Sequence, residues 1–200
     1  MTRLTLALAV MVGSLAAVGC APSRHGGTLP CGHWTGHGTY AIAKWQAHED
    51  NHSATPEGHA SAVYDTSMTI ERTGNDPESF RIEIVSDRGP IPYEKDLGDR
   101  THLVIMLERE FAKPFDGVIG YRVTKVGIAV DDSEPDMQAG PEGITLATSI
   151  ARKGELVLAL HYQDGFCDML HFRGNEVWKT GTYFVLDEGA LDWVEHLKKK

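Results

Sequence analysis

The sequence predicts an all-β fold: one antiparallel β-barrel of about eight or nine strands followed by a short C-terminal helix, with a β-sandwich as the alternative. Three observations predict it. Apolar and polar residues alternate with period two through most of the chain beyond residue 31. The alternating runs are joined by short links of hairpin composition, among them "KG", "QDG" and "RGNE". Only one stretch, at the C-terminal end, repeats with helical period.

Before the first strand, "MTRLTLALAVMVGSLAAVGC" opens with one cation, Arg3, and an apolar run, Leu4–Val18, interrupted by Gly13 and Ser14. A bilayer span takes about 20 apolar residues, so this layout is that of a secretory signal. Its end, "AAVGC" (Ala16–Cys20), resembles the lipobox of bacterial lipoproteins. The resemblance implies cleavage after Gly19 and lipidation of Cys20, with palmitate among the acyl chains. Residues 1–19 are then the signal peptide, 20–30 a lipidated flexible tether, and 31–200 the antiparallel β domain with its helix. Two or more acyl chains suffice for stable anchoring. The implied place is the cell envelope. In a cell with an outer membrane, Ala21 in place of a retention aspartate implies the outer membrane, facing the periplasm.

The chain carries 19 Lys and Arg against 28 Asp and Glu, a formal charge of −9, and loss of Arg3 with the leader makes it one unit more negative. That balance excludes nucleic acid as a partner, which needs a basic patch, and leaves membrane attachment to the lipid. With Cys20 used, two of the three cysteines remain, Cys31 and Cys167. An even pair in an oxidising compartment reads as a disulfide.

The first strand, Gly32–Ala43, puts Trp34, Gly36, Gly38, Tyr40 and Ile42 on one face and His33, Thr35, His37 and Thr39 on the other. At about 3.3 Å per residue His33 and His37 stand about 13 Å apart, so they are no chelate for a metal. "YDTSMTIER" (Tyr64–Arg72) and "FRIEIVS" (Phe80–Ser86) alternate the same way around the turn "TGNDPE". His102–Glu108, Val118–Val130, Ile144–Arg152, Glu155–Tyr162, Phe166–Phe172 and Val177–Leu186 complete the strands. Within Val118–Val130 the apolar face switches near Thr124–Lys125, which marks a bulge. In "DEGALDWVEHLKKK" the residues Ala190, Trp193, Val194 and Leu197 form one helical stripe, Asp187 is placed to cap it, and Lys198–Lys200 suit its far end.

The motif G-x-W at Gly32 and Trp34 is similar to the opening of lipocalins, within the wider calycin group. The longer G-x-W-x-G-x-G resembles nitrobindin-like barrels, which hold haem. The resemblance implies a calycin-like barrel in which a basic residue stacks on Trp34, with Arg173 and Lys179 the candidates.

The function these readings support is non-catalytic binding of a small apolar or amphipathic ligand in the barrel mouth, with Trp34, Tyr40, Tyr121 and Phe184 as the aromatic candidates. An envelope structural or protein-interaction lipoprotein with a packed core is a second reading. A third is a metal site for zinc or copper on the loop "WQAHEDNHSATPEGHA", through His48, His52 and His59. His161 and His171, with Asp168 nearby in sequence, form a further cluster, and "DDSEPD" an acidic loop. No G-x-S-x-G elbow, phosphate loop or Cys/His nucleophile pair marks the chain as an enzyme.

Overall fold

The computed structural model describes residues 29–47, 54–74, 78–89, 99–112, 118–139, 144–152, 155–162, 167–185 and 189–200. Among these residues the chain forms only strands: β1 (Gly32–Ala47), β2 (Ala54–Arg72), β3 (Ser79–Asp87), β4 (Arg100–Ala112), β5 (Val118–Ala129), the short β6 (Gln138–Ala139), β7 (Ile144–Arg152), β8 (Glu155–Tyr162), β9 (Cys167–Arg173), β10 (Glu176–Val185) and β11 (Gly189–Lys199). All pairings are antiparallel and lie in one curled sheet, in the order β4-β3-β2-β1-β11-β10-β9-β8-β7-β5-β6, with β4 also bonded to β5. Each of the ten longer strands therefore has a hydrogen-bonded neighbour on both sides. One continuous sheet replaces the sandwich alternative.

Alternation dictates the faces. Along β3 the buried residues are Phe80, Ile82, Ile84 and Ser86, while Arg81, Glu83 and Val85 are only partly covered. The bulge expected near Thr124–Lys125 is present: Met106 pairs with Lys125 but Leu107 pairs with Val123. Thr124 is thus the extra residue, its hydroxyl turned to the Met106 carbonyl at 3.3 Å. The β9–β10 hairpin turns on Gly174, whose φ of 59° is a left-handed conformation that glycine adopts without strain.

The expected C-terminal helix is instead β11. Leu191, Trp193, Glu195 and Leu197 point inward, and Val194, part of the supposed helical stripe, is 46% exposed. Pairing with β1 on one side and β10 on the other satisfies the backbone along the whole strand. That tertiary pairing overrides local propensity. The extra strand also explains why there are ten long strands rather than nine.

The expected Cys31–Cys167 disulfide is not formed, and Cys167 is a free thiol. Register shows why. Cys167 lies opposite Thr182, Thr182 opposite Asp192, and Asp192 opposite Ala41. Cys167 is therefore three strands from β1 and level with Ala41, far along that strand from Cys31. At about 3.3 Å per residue the axial offset alone is roughly 33 Å, against a Cα separation of at most about 7 Å for a disulfide.

Two apolar clusters fill the inside. The larger holds Trp34, Met68, Phe80, Ile82, Ile105, Leu107, Tyr121, Leu158, Leu170 and Phe172 among others. The smaller, nearer the opposite end, holds Tyr40, Ile42, Tyr64, Leu191 and Trp193. Burying each large aliphatic or aromatic side chain contributes about 1.5–3 kcal/mol before chain entropy is counted. Polar and charged side chains lie between the clusters.

Candidate functional site: a buried charged layer beneath a cavity

Register builds this layer. Gly38 of β1 lies opposite Tyr64 of β2 on one side and Glu195 of β11 on the other, and Glu195 lies opposite Lys179 of β10. In the adjoining row Gly181 of β10 lies between Asp168 of β9 and Trp193 of β11. Each row thus places a glycine between two side chains that must meet across it. A Cβ on Gly38 would sit 2.3 Å from the Tyr64 ring, and one on Gly181 would sit 2.2 Å from the Trp193 indole. The missing side chains let both aromatic rings lean across the row.

The result is a connected set of hydrogen bonds. The Tyr64 hydroxyl donates to Glu195 Oε1 at 2.8 Å, Thr66 donates to Oε2 at 3.2 Å, and Ser86 donates to Oε1 at 3.4 Å. The Lys179 ammonium donates to Glu195 Oε1 at 2.9 Å and stands 3.9 Å from Asp168 Oδ1. Trp193 Nε1 donates to Asp168 Oδ1 at 2.8 Å. Glu195 has a side-chain exposure of 0% and Lys179 and Asp168 of 5% each.

Burial by itself pushes the Glu195 carboxyl up. The charge and hydrogen bond of Lys179, the Tyr64 hydroxyl and the charge of Arg88 more than offset that, holding it below the ordinary carboxylate value. Burial, reinforced by the charge and hydrogen bond of Glu195, pushes the Tyr64 phenol well up, so it stays protonated and serves as a donor.

A cavity of about 130 Å³ opens beside this layer. Ile84, Leu103, Leu191 and Trp193 give it apolar walls, Asp168 and Lys179 a charged floor, and Arg88 and Ile128 a rim. Thr101 also lines it, and the Thr101 hydroxyl is shielded from solvent without a hydrogen-bond partner. The Arg88 guanidinium lies 5.7 Å from the centre of the Tyr64 ring. A wider depression of about 590 Å³ lies on the outer face around His37, Asp65 and His196. It is open to water, and His37 and Asp65 there bond each other at 2.7 Å, so the inner cavity is the better ligand site.

Trp34, Tyr40 and Tyr121 are not among the described residues that line this cavity. Trp34 and Tyr121 are each 1% exposed and packed edge-on against Phe172 and Phe80. Tyr40 belongs to the smaller cluster beside Tyr64. Phe184 is placed on β10 opposite Ala190.

The cation over Trp34 is neither Arg173 nor Lys179 but Lys199, whose Nζ is 5.3 Å from the ring centre and donates to the Cys31 carbonyl at 2.8 Å. Lys179 belongs to the charged layer, and Arg173 is exposed beside Glu155. The terminal lysines therefore extend a strand rather than cap a helix.

Cys20, His48 and His52 lie outside the described residues, and His59 stands exposed on β2 opposite Ala43. Much of the expected His-rich loop is strand, because β1 and β2 run on as a long hairpin. Among the described residues no group of three or more His, Cys, Asp or Glu is placed to hold a metal ion. His171 is partly exposed and faces Glu155 at 3.3 Å, while Asp168 is buried. Among its described lining residues the cavity presents no histidine, cysteine or methionine, and its volume of about 130 Å³ is smaller than a porphyrin, so these residues do not fit haem. Asp131 in the acidic loop accepts from the Ser133 amide and hydroxyl, and Asp132 pairs with Arg100.

Sequence reasoning passed over Glu195, Trp193 and Thr101 as site residues. The available signal was a glutamate at an inward position of an alternating run. Among known proteins, no family model, curated sequence or solved structure matches this chain.

Proposed function

We propose that this chain is a lipid-anchored envelope protein that binds a small amphipathic molecule at the mouth of a closed ten-stranded barrel. The pairing of β4 with β5 supports closure. The lipobox-like "AAVGC" supports anchoring through Cys20. The observation that carries the binding reading is the cavity itself: apolar walls, a charged floor, and a shielded Thr101 hydroxyl without a partner. Apolar surface supplies affinity there, and the few polar groups fix orientation.

The test is native mass spectrometry of the protein released from its own membranes by mild detergent. A retained organic molecule, displaced on mild unfolding, supports the reading, and a bare mass from every preparation removes it. Labelling with radioactive palmitate tests the anchor, since Cys20→Ser must abolish incorporation.

A protein-docking reading has one observation in its favour. Register places Met169, Thr180, Val194, Thr39 and Val63 in one row across the outer face. In that row Met169, Val194 and Val63 are 47%, 46% and 69% exposed. A bare mass together with a specific cross-linked partner on this row would replace the ligand reading with this one.

A further inference from the structure

We infer that the molecule held at this mouth is uncharged, an apolar body whose single hydroxyl or carbonyl oxygen meets Thr101. The inference rests on the binding reading above and deepens it.

Charge balance comes first. Among the described residues, Asp168 and Glu195 are the carboxylates of the cavity floor and the layer beneath it, and Lys179 and Arg88 are the cations. Lys179 serves both acids, at 2.9 Å from Glu195 and 3.9 Å from Asp168. The charge of Arg88 is already engaged in holding Glu195 ionised. Among the described residues of the cavity and its floor, positive and negative groups therefore match. An ionised ligand of either sign would enter without a counter-charge and would lose its hydration beside side chains only 5% exposed. A neutral ligand avoids that cost.

Thr101 comes second. Buried polar groups are paired in the great majority of cases, yet this hydroxyl lines the cavity with nothing to bond. A hydroxyl or carbonyl oxygen on the ligand completes it. The small volume and the walls of Ile84, Leu103, Leu191 and Trp193 suit a compact hydrocarbon body.

Calorimetric titration of the full chain at pH 7 with 1-octanol, octanoate and octylammonium, probes of equal length, tests this. Octanol is expected to bind at least about tenfold more tightly than either ion. Thr101→Val should weaken octanol roughly three- to tenfold, and Thr101→Ser, which keeps the hydroxyl, should restore it. An ion that binds as tightly as octanol overturns the charge assignment while leaving the binding site standing. Undiminished octanol binding by Thr101→Val overturns the role of Thr101 in the same way. Failure of all three probes overturns this inference and the binding reading together. Should Thr101→Val not fold, the ranking of the three probes on the parent chain decides.

Discussion

Replacing Lys179 by methionine isolates what the charged layer contributes. Met fills a similar volume but removes the donor 2.9 Å from Glu195, leaving a carboxylate of 0% exposure with the Tyr64, Thr66 and Ser86 hydroxyls and the more distant charge of Arg88. Removing one partner of a buried pair costs about 3–5 kcal/mol. For a domain of this size each kcal/mol lowers Tm by about 2–4 °C, so a fall of roughly 6–20 °C is expected. The pH dependence carries the mechanism. In the parent the folded pKa of Glu195 lies below its unfolded value, so its contribution is present above about pH 4.3 and fades as pH falls through the folded value. Without Lys179 the largest cause that offsets burial is lost, and the folded pKa rises. The variant then regains stability, relative to the parent, as acid protonates Glu195. Urea titrations followed by tryptophan fluorescence at pH 7 and pH 4.5 read both terms. A loss below 1 kcal/mol at pH 7, or an equal loss at the two pH values, refutes the buried ion pair. In Lys179→Met/Glu195→Gln the penalty should shrink, because no charge is left unpaired.

Gly181→Ala drives a methyl against the Trp193 indole at 2.2 Å and Asp168 Oδ1 at 2.5 Å, and thermal melts should show a loss of about 1–3 kcal/mol. Lys199→Met removes the cation above Trp34 and the bond to the Cys31 carbonyl; urea unfolding should show about 0.5–1.5 kcal/mol lost. Lys198→Met, at a residue 69% exposed and 3.7 Å from Glu176, should change stability by less than about 0.5 kcal/mol. Peptide mapping without reduction should yield no fragment joining Cys31 to Cys167, and native Cys167 should react slowly with thiol reagents, because burial and the Asp168 charge push its pKa up.

Strand face was legible wherever alternation was clean. Phe80, Ile82 and Ile84 could be placed inward from their spacing alone, and the switch at Thr124–Lys125 located a bulge to the residue. Reading failed where an inward position held something other than a hydrophobe. In β11 the inward residues are Leu191, Trp193, Glu195 and Leu197. A glutamate in that series breaks the period-two signal, and exposed Val194 completes a false helical stripe. The disulfide failed for a different reason: cysteine counting carries no information about register, and register alone sets the two thiols far apart. The cavity was illegible because its walls come from β3, β4, β5, β9, β10 and β11, a set assembled only by the curl of the sheet. What the sequence did offer was the glycines at inward positions of the first strand: the groups that approach Gly38 are the Tyr64 ring and, beyond it, Glu195.

The charged layer bears on register as well as on binding. β11 has apolar residues on both faces, since Val194 and Ala190 point opposite to Leu191, Trp193 and Leu197. The outer face also carries Asp192, His196 and Lys198, so a one-residue slip, which would exchange the two faces, is already opposed by the burial of those groups. Such a slip would bring Val194 or His196 to the place of Glu195. Lys179 would then lose its nearest carboxylate, and Tyr64 and Thr66 would lose their acceptor. An apolar replacement of the layer would retain comparable stability, but it would remove this added penalty on the slipped pairing. The same reasoning separates the roles within the site. Glu195, Lys179, Asp168 and Trp193 are satisfied by one another, so they set the register of the wall. Thr101, which no described group satisfies, is the residue to which the proposed ligand is assigned.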